Sequence, residues 1–494
     1  MMLRPAESAA AMTEDRVRVR FAPSPTGYLH IGGARTALFN YLFARHQGGD
    51  FLLRIEDTDL ERSSEAMIER IREGMSWLGM HADEETVLQS RHREEHRAAA
   101  ERMLNEGRAY RCFCSRESLD AEREAAEKAG RPYRYSGQCR GLSTEEISAK
   151  LAEGLSYTVR LKVPQEGKTR FKDMVYKNIE VMNSEIDDFI LLRSDGSPVY
   201  QLAVVVDDAR MGITHVIRGE DHLSNTPKQI LICLALGYRV PRFAHLPLIL
   251  GPDGKRLSKR FGASSVEEFR DMGFIPEGVL NALALLGWSH PSNQTLFDME
   301  TLIRDFDFSR VNKKGAIFDI QKMMWINGQH LSLLPADRIL SDVEALWRER
   351  GLLDSEAAED RDRLLAAADL LKQRMRLLPE FADFGLYLFR APESYDTEGQ
   401  EKQWPDRKLS ANRLSVLRGS WQALPEFTAE AAEEALRASA EQLEEKAAVL
   451  IHSMRLAVTG FTVSPDIFSI LIFLGRDEVL SRLERAENYL RTEN

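Results

Sequence analysis

Arg20–Arg35 reads RFAPSPTGYLHIGGAR, and this stretch decides the fold. A short alternating run, Val17–Phe21, leads into Ala22-Pro23-Ser24-Pro25-Thr26-Gly27, whose prolines and glycine make a rigid, irregular turn. Beyond His30 the spacing of apolar residues over Ala34–Ala44 predicts a helix. Strand, tight turn and helix N-terminus in that order form an anion site. Unpaired backbone N–H groups and the positive end of the helix dipole face whatever sits above the strand. Gly32 and Gly33 carry no Cβ, so a flat base or a phosphate chain can approach the backbone, and His30 can donate to a phosphate oxygen. Taken alone, these residues fit an ordinary strand–loop–helix turn equally well.

A second stretch changes that balance. Gly254–Gly262, GKRLSKRFG, is a basic loop with a small hydroxyl at its centre. With both stretches in this order the sequence resembles the class I aminoacyl-tRNA synthetases, which carry a HIGH motif and then a KMSKS motif. It is most similar to their bacterial glutamyl branch, whose first motif typically reads R-x-A-P-S-P-T-G-x-x-H-x-G. The resemblance runs from about Arg18 to the C-terminus. Gly33 stands where the general motif has its second His, as is common in the glutamyl branch, and Arg256 stands at the first Lys of KMSKS and keeps the charge.

The resemblance implies an α/β architecture: a doubly wound, parallel-sheet (Rossmann-type) catalytic domain with an acceptor-end-binding insertion, followed by an all-α anticodon-binding half. It implies ATP, with Mg2+ arriving on the nucleotide, at His30, Gly32, Gly33, Arg256, Leu257, Ser258 and Lys259, with His30, Ser258 and Lys259 as the catalytic groups. It implies L-glutamate against Arg20, Ala22, Ser24, Glu56, Tyr200 and Arg218, with Glu56 facing the amino group. Arg218 is also singled out by chemistry, because a guanidinium is the best bidentate partner for a carboxylate and Arg20 supplies a second. By itself, Arg218-Gly219-Glu220-Asp221 would be read as a surface ion pair.

Composition bounds the rest. A chain of 494 residues holds three or four domains, and 43% hydrophobic with 29% charged residues leaves enough apolar material for real cores. The net charge of −11 counsels against a nucleic-acid partner globally, although a tRNA enzyme needs only a basic face. Four cysteines are too few for a disulfide framework. No apolar run reaches the roughly 18–20 residues of a membrane span. Met1–Asp15 has no apolar core and contains acids, so it reads as a disordered leader rather than a signal peptide, with Met12 as an alternative start. A cytosolic monomer, away from membranes, is expected.

Along the chain, Asp50–Asp59 is a buried strand ending in acids, which a doubly wound sheet would turn toward its ligand, while Asp57 or Asp59 also suits a helix N-cap. Glu65–Leu78 is an amphipathic helix. Cys112-Phe113-Cys114 and Cys139, with 24 residues between Cys114 and Cys139, suit zinc, which needs a fourth ligand. Related enzymes carry a His two residues after the last Cys, where this chain has Gly141. A shortened relative uses C-x-C…Y-x-x-x-C, which would make Tyr135 (or a water) the fourth ligand; three reduced thiols from a lost site are the alternative. Tyr157–Val163 and Phe189–Arg193 read as strands, and so does Tyr200–Asp208, which is expected to return the chain to the parallel sheet. Ile213–His222 is a further strand, leading to a helix capped at Ser224 or Thr226 with Pro227 early in it.

The remainder reads as helix, with Leu364–Leu378 and Thr428–Leu450 as long single helices and Pro392–Pro405 as a loop between two subdomains. By resemblance Lys313 and Lys314 would position tRNA phosphates, and Arg374 or Arg376 would face the anticodon; as plain sequence all four are solvated charges. Arg455–Gly460 reads as structural. The expected divisions are a leader over 1–15, a catalytic domain over 16–98 and 200–254, and the insertion over 99–199. A KMSKS and stem-contact region follows over 255–334, then helical subdomains over 335–391 and 392–494. The implied reaction is ATP-dependent ligation of glutamate to tRNA(Glu), with tRNA(Gln) as a further acceptor in the alternative. A glutaminyl enzyme would carry a β-barrel tail, a base-modifying relative would lack the second half, and a nucleotidylyltransferase would not need it. A catalytically dead tRNA-binding paralogue would not need His30, Ser258 and Lys259 together.

Overall fold

The computed structural model describes residues 16–58, 64–257, 265–353 and 360–492. The chain divides into two compact units, one from Met1–Glu268 with Leu280–Asp319, the other from Phe269–Val279 with Ile320–Asn494.

The strands of the first unit are β1 (Arg18–Phe21), β2 (Asp50–Ile55), β3 (Val87–Leu88), β4 (Ala109–Cys112), β5 (Thr158–Leu161), β6 (Lys168–Asp173), β7 (Lys177–Met182), β8 (Ile190–Leu192), β9 (His215–Gly219), β10 (Arg242–Leu246), β11 (Ile249–Leu250) and β12 (Ala316–Ile317). Its principal helices are α1 (Ile31–His46), α2 (Glu65–Trp77), α3 (Arg93–Asn105), α4 (Arg116–Lys128), α5 (Thr144–Ala152), α6 (Tyr200–Arg210) and α7 (Thr226–Leu236).

β1, β2 and β3 pair in parallel, with Arg18 opposite Asp50 and Phe21 opposite Leu53. β9, β10 and β6 are also parallel, and β7 returns antiparallel to β6. β1 lies beside β9, where the Thr214 N–H donates to the Arg18 carbonyl at 2.9 Å. The strand order reverses between β1 and β9, which is the switch point at which a doubly wound sheet binds its ligands. β2 is buried along its whole length, as a strand covered on both faces should be. α1 is buried on most sides for the same reason, and it starts where His30 Nδ1 accepts the Gly32 N–H at 3.1 Å. β4, β5 and β8 form a separate antiparallel sheet within the expected insertion.

Two local expectations fail in this unit, and a third is tested only in part. Tyr200–Asp208 is not a strand but the start of α6. Its valines favour a strand by propensity, but the run is buried on nearly every side among residues of α3 and α7, and burial overrides propensity. α7 is capped by neither Ser224 nor Thr226. Its N-cap is Asn225 with no side-chain cap, and the Thr226 hydroxyl is engaged elsewhere. Asp57 does not cap α2, whose N-cap is Ser64, and it accepts from the N–H and hydroxyl of Ser90 at 2.8 and 2.6 Å. Asp59 lies outside the described residues.

The second unit is helical throughout its described residues, around one apolar cluster that includes Trp347, Phe381, Leu417 and Trp421. The indole N–H groups of Trp347 and Trp421 donate to the carbonyls of Phe381 and Ala432 at 3.0 and 2.9 Å, which satisfies the polar edge of each buried ring. The expected helix over Thr428–Leu450 is two, Ala429–Gln442 and Ala447–Thr459, because Glu444 adopts a left-handed φ of 55° between them. That expected from Leu364 ends at Lys372, and the expected loop over Pro392–Pro405 contains a short helix, Thr397–Gln403, capped by Asp396. Gly460 ends its helix at φ 80°, the structural role expected of that stretch. No helix among the described residues is long and apolar enough to cross a membrane.

Candidate active site

The carboxyl ends of β1, β2, β9 and β10 open onto a cavity of about 600 Å3. Arg20, Ala22, Ser24, His30, Gly32, Gly33, Glu56, Tyr200, Arg218, Arg256 and Leu257 all line it. Ser258 and Lys259 lie outside the described residues. Every other residue expected at the ATP and glutamate positions is therefore gathered in one place.

The His30 Nδ1 accepts the Gly32 N–H, so in the neutral ring the proton sits on Nε2. That tautomer makes Nε2 a donor. A Cβ built at Gly32 or Gly33 would make only ordinary contacts, with His30 Nδ1 and with Leu29 and Phe21 at 3.4–3.5 Å. Internal packing thus demands neither glycine, and open access to the cavity is what their missing side chains provide.

Beneath the cavity lies a buried charge network. Asp208 accepts from Arg20 Nε and Nη2 at 2.9 and 3.3 Å and from Arg54 Nη1 at 2.6 Å. Arg54 Nη2 donates to Glu56 at 3.3 Å, and its Nε lies 4.0 Å from Asp207. Asp207 accepts from Gln89 at 2.7 Å and contacts His96 Nε2 at 2.9 Å. Burial pushes the Glu56 carboxyl up from its ordinary value, against the pull of Arg54 and Arg20. Burial acts the same way on Asp208, but there the two guanidiniums win and hold it below its ordinary value.

Arg218 is buried and makes no ion pair with an acid among the described residues. Its Nη2 donates to the Thr226 hydroxyl at 2.8 Å and its Nε to His245 Nε2 at 3.3 Å, while its buried Nη1 has no hydrogen-bond partner among the described residues. A buried guanidinium N–H without a partner is costly unless an acceptor arrives, and Arg218 lines the cavity. Tyr200 stands beside it, its hydroxyl 3.1 Å from His222 Nδ1. Burial, then Arg218, lowers the His222 pKa, and burial raises that of Tyr200.

The cavity roof is fixed by Arg35, which donates to the carbonyls of Pro247 and Leu286, and whose burial lowers its pKa to about 10. Arg256 is exposed and 3.9 Å from Asp221, at the foot of the hairpin where the Leu257 N–H donates to the Ile249 carbonyl at 3.0 Å. Lys313 and Lys314 are exposed in the first unit, before β12. Arg374 and Arg376 are exposed in the second unit, where the charge of Arg374 adds to burial in lowering the Arg455 pKa.

Apart from the cavity, Cys112, Cys114 and Cys139 place their Sγ atoms within 4.8 Å of one another. The Tyr135 hydroxyl is 3.2 Å from Cys112 Sγ and 3.6 Å from Cys114 Sγ, and Cys114 and Cys139 Sγ are 3.7 Å apart. Tetrahedral zinc with bonds of about 2.3 Å to sulfur sets its ligands about 3.7–3.8 Å apart, so three thiolates and a phenolic oxygen at these spacings fit the ion. The Arg160 guanidinium, 3.9 Å from the Tyr135 ring centre, supplies compensating positive charge.

Matches to known proteins agree with this geometry. The family model for the catalytic domain of class I tRNA synthetases (E and Q) covers residues 16–325, and an anticodon-binding domain model covers 338–487. The "Glutamate--tRNA ligase 1" of Caldanaerobacter subterraneus subsp. tengcongensis is 45% identical, over 96% of this chain and 98% of that one. The chain belongs to the glutamate–tRNA ligase family. The "Glutamate--tRNA ligase 2" of Koribacter versatilis is 46% identical over 95% of this chain and 98% of that protein. The crystal structure of a glutamate tRNA ligase from Elizabethkingia meningosepticum in complex with its amino acid superposes with a TM-score of 0.85. It shares 34% identity and covers 97% of this chain and 100% of that one.

Membership of this class I ligase family implies ATP with Mg2+ as a substrate. What the sequence reading missed in the ligase fold is the layer behind the cavity: Arg54, Asp208, His245, Asp173 and Arg35. One signal was present. Arg54 interrupts the apolar run Phe51–Ile55, and a charge inside a fully buried strand requires a partner.

Proposed function

We propose that this enzyme ligates L-glutamate to tRNA(Glu) with ATP, through glutamyl-adenylate, and releases AMP and pyrophosphate. The observation that carries the reading is the cavity at the strand switch point, lined by the guanidiniums of Arg20 and Arg218 and the carboxyl of Glu56, with the buried Nη1 of Arg218 left without a partner among the described residues. Glutamate has two carboxylates and one ammonium, which match two guanidiniums and one buried acid. Glutamine would leave a buried guanidinium without its anion, a loss that sites built around a specific polar contact convert into strong rejection.

In the first step an oxygen of the glutamate α-carboxylate attacks the α-phosphorus of ATP, and the bond to the pyrophosphate breaks. His30 Nε2–H and the N-terminal N–H groups of α1 face phosphate oxygens, with Gly32 and Gly33 allowing the nucleotide close approach. Lys259, Ser258 and Arg256 bind the leaving pyrophosphate, and Leu257 packs beside the nucleotide. Ala22 and Ser24 border the amino acid, and Tyr200 closes its side. Mg2+ arrives with ATP and spreads the phosphate charge. In the second step a ribose hydroxyl of the terminal adenosine of tRNA takes the acyl group and AMP leaves. Catalysis is positioning and charge stabilisation, without a covalent protein intermediate.

The helical unit reads the anticodon, with Arg374 the first residue to test, and Lys313 and Lys314 position phosphates. Cys112, Cys114, Tyr135 and Cys139 would hold a structural Zn2+, which ties the end of β4 to the loop carrying Tyr135 and Cys139. The enzyme acts as a cytosolic monomer. Charging assays with tRNA(Glu) and tRNA(Gln), each with glutamate or glutamine, test the reading. ATP-dependent formation of glutamyl-tRNA(Glu) supports it, and charging of tRNA(Gln) with glutamate would widen the acceptor range. Failure to acylate tRNA(Glu) with glutamate by a folded preparation would overturn it.

A further inference from the structure

Arg218 is held from behind by residues that no part of the reaction requires in contact with substrate. Asp173, at the end of β6, is completely buried, and its Oδ2 lies 2.7 Å from His245 Nδ1 on β10. The other oxygen, Oδ1, accepts the Val175 and Tyr176 N–H groups at 2.9 and 2.8 Å, so the carboxylate cannot rotate away. His245 is equally buried and stacks on Phe243, with ring planes 15° apart. Its Nε2 lies 3.3 Å from Arg218 Nε and 3.0 Å from the Thr226 hydroxyl, which accepts from Arg218 Nη2 at 2.8 Å.

Donor counting fixes the protons. An arginine has only N–H donors, so Arg218 Nε needs an acceptor, and His245 Nε2 must be the bare nitrogen. The proton then sits on Nδ1 and is donated to Asp173, which as a carboxylate can only accept. The Thr226 hydroxyl accepts from Arg218, and its own hydrogen has two acceptors in reach, the His222 carbonyl at 3.5 Å and the Nε2 lone pair at 3.0 Å, which it would share with Arg218 Nε–H. The tautomer follows from the Asp173 and Arg218 Nε bonds, whichever acceptor the Thr226 hydrogen takes. This arrangement uses the Nε and Nη2 edge of the guanidinium and leaves Nη1 without a partner among the described residues, on a side chain that lines the cavity.

We propose that Asp173 and His245 are positioning residues for amino-acid recognition. Asp173 locks the His245 tautomer, and His245 with Thr226 clamps the Nε and Nη2 edge of Arg218, which fixes the cavity-lining guanidinium for a substrate carboxylate. The proposal rests on the functional reading above and adds that recognition depends on a residue of β6. That strand lies in the segment expected to be the acceptor-end insertion, and among the described residues it joins the catalytic sheet by pairing with β10.

Asp173→Asn tests the lock with little change of shape. The amide nitrogen would donate to His245 Nδ1 and drive the ring proton to Nε2, which would then oppose the Nε–H of Arg218. ATP–pyrophosphate exchange in the presence of tRNA(Glu) is measured for the unaltered chain, Asp173→Asn, His245→Gln and the double variant, with thermal unfolding of each. In His245→Gln the amide oxygen reaches toward the old Nε2 position and can still accept from Arg218, while the link to Asp173 is cut.

Asp173→Asn should raise the KM for glutamate by about ten- to a hundredfold, the scale of one charge-assisted hydrogen bond, and leave the KM for ATP within twofold. His245→Gln should restore most of the affinity, and adding Asp173→Asn to it should cost little more. An unchanged glutamate KM in Asp173→Asn overturns the inference. So does a parallel rise for glutamate and ATP that follows the loss of thermal stability, or an equal cost of Asp173→Asn in both backgrounds. If the unaltered chain shows no glutamate-dependent exchange, the functional reading itself fails, and this inference fails with it.

Discussion

Replacing Arg54 by methionine removes one guanidinium from beneath the cavity and leaves an apolar chain of similar length. The lost contacts are the 2.6 Å bond to Asp208, the 3.3 Å bond to Glu56 and the 4.0 Å approach to Asp207. A unit-charge pair at about 4 Å is worth about 4 kcal/mol at an effective dielectric of 20. Breaking a buried pair by removing one member costs about 3–5 kcal/mol, because the partner charge stays behind. Two effects keep the total within that range rather than at a multiple of it. Asp208 retains Arg20 at 2.9 Å. Glu56, which burial already pushes up in pKa, takes a proton once Arg54 is gone and so caps its own penalty. The variant should lose about 3–5 kcal/mol of stability, read as a urea midpoint lower by on the order of 1 M. A neutral Glu56 no longer pairs with an ammonium, so the glutamate KM should rise by about tenfold. Arg72→Met, at an exposed i,i+3 pair with Glu69, is the control and should leave the midpoint in place. A stability loss below about 1 kcal/mol with an unchanged glutamate KM would refute the reasoning.

Further outcomes follow from other parts of the molecule. After reconstitution the chain should carry about one zinc per chain. Cys139→Ala should abolish it and Tyr135→Phe should weaken it by at least tenfold; metal analysis showing no zinc after reconstitution would remove the site. Asp208 has a folded-state pKa below its ordinary 3.8, so it contributes stability above that value, and the contribution is lost as pH falls through the lower one. Stability should therefore drop below about pH 4, and Asp208→Asn should flatten that part of the profile; an unchanged acid limb would contradict the ion network. Gly273 sits at φ 89°, where an added Cβ overlaps Pro379 Cδ. Gly273→Ala should destabilise the helical unit by about 1–3 kcal/mol, checked by denaturant titration.

Sequence reading finds the features whose chemistry is local. His30 with its glycine pair is a linear motif, and a strand, turn and helix N-terminus follow from neighbouring residues. The three cysteines announce themselves by spacing and Tyr135 by resemblance to a shortened relative, and the structure brings their ligand atoms together. What sequence conceals is contact across the fold. Asp208 meets Arg20 across 188 residues, and His245 meets Asp173 across 72. No periodicity encodes such partners. α6 is the clearest miss: a run of valines ending in two acids reads as a strand, but it is a helix whose two acids turn inward to reach His96, Arg20 and Arg54. Burial among α3 and α7 overrides the strand propensity of that segment, and the partners of its acids lie on other elements.

ATP–pyrophosphate exchange with glutamate and with glutamine, each with and without tRNA(Glu), tests the central claim most directly, with Lys259→Ala as the paired variant. Exchange should appear with glutamate plus tRNA, stay absent with glutamine, and fall by orders of magnitude in Lys259→Ala. No exchange under any condition, with tRNA binding intact, would contradict the account and leave a tRNA-binding protein with an inert cavity.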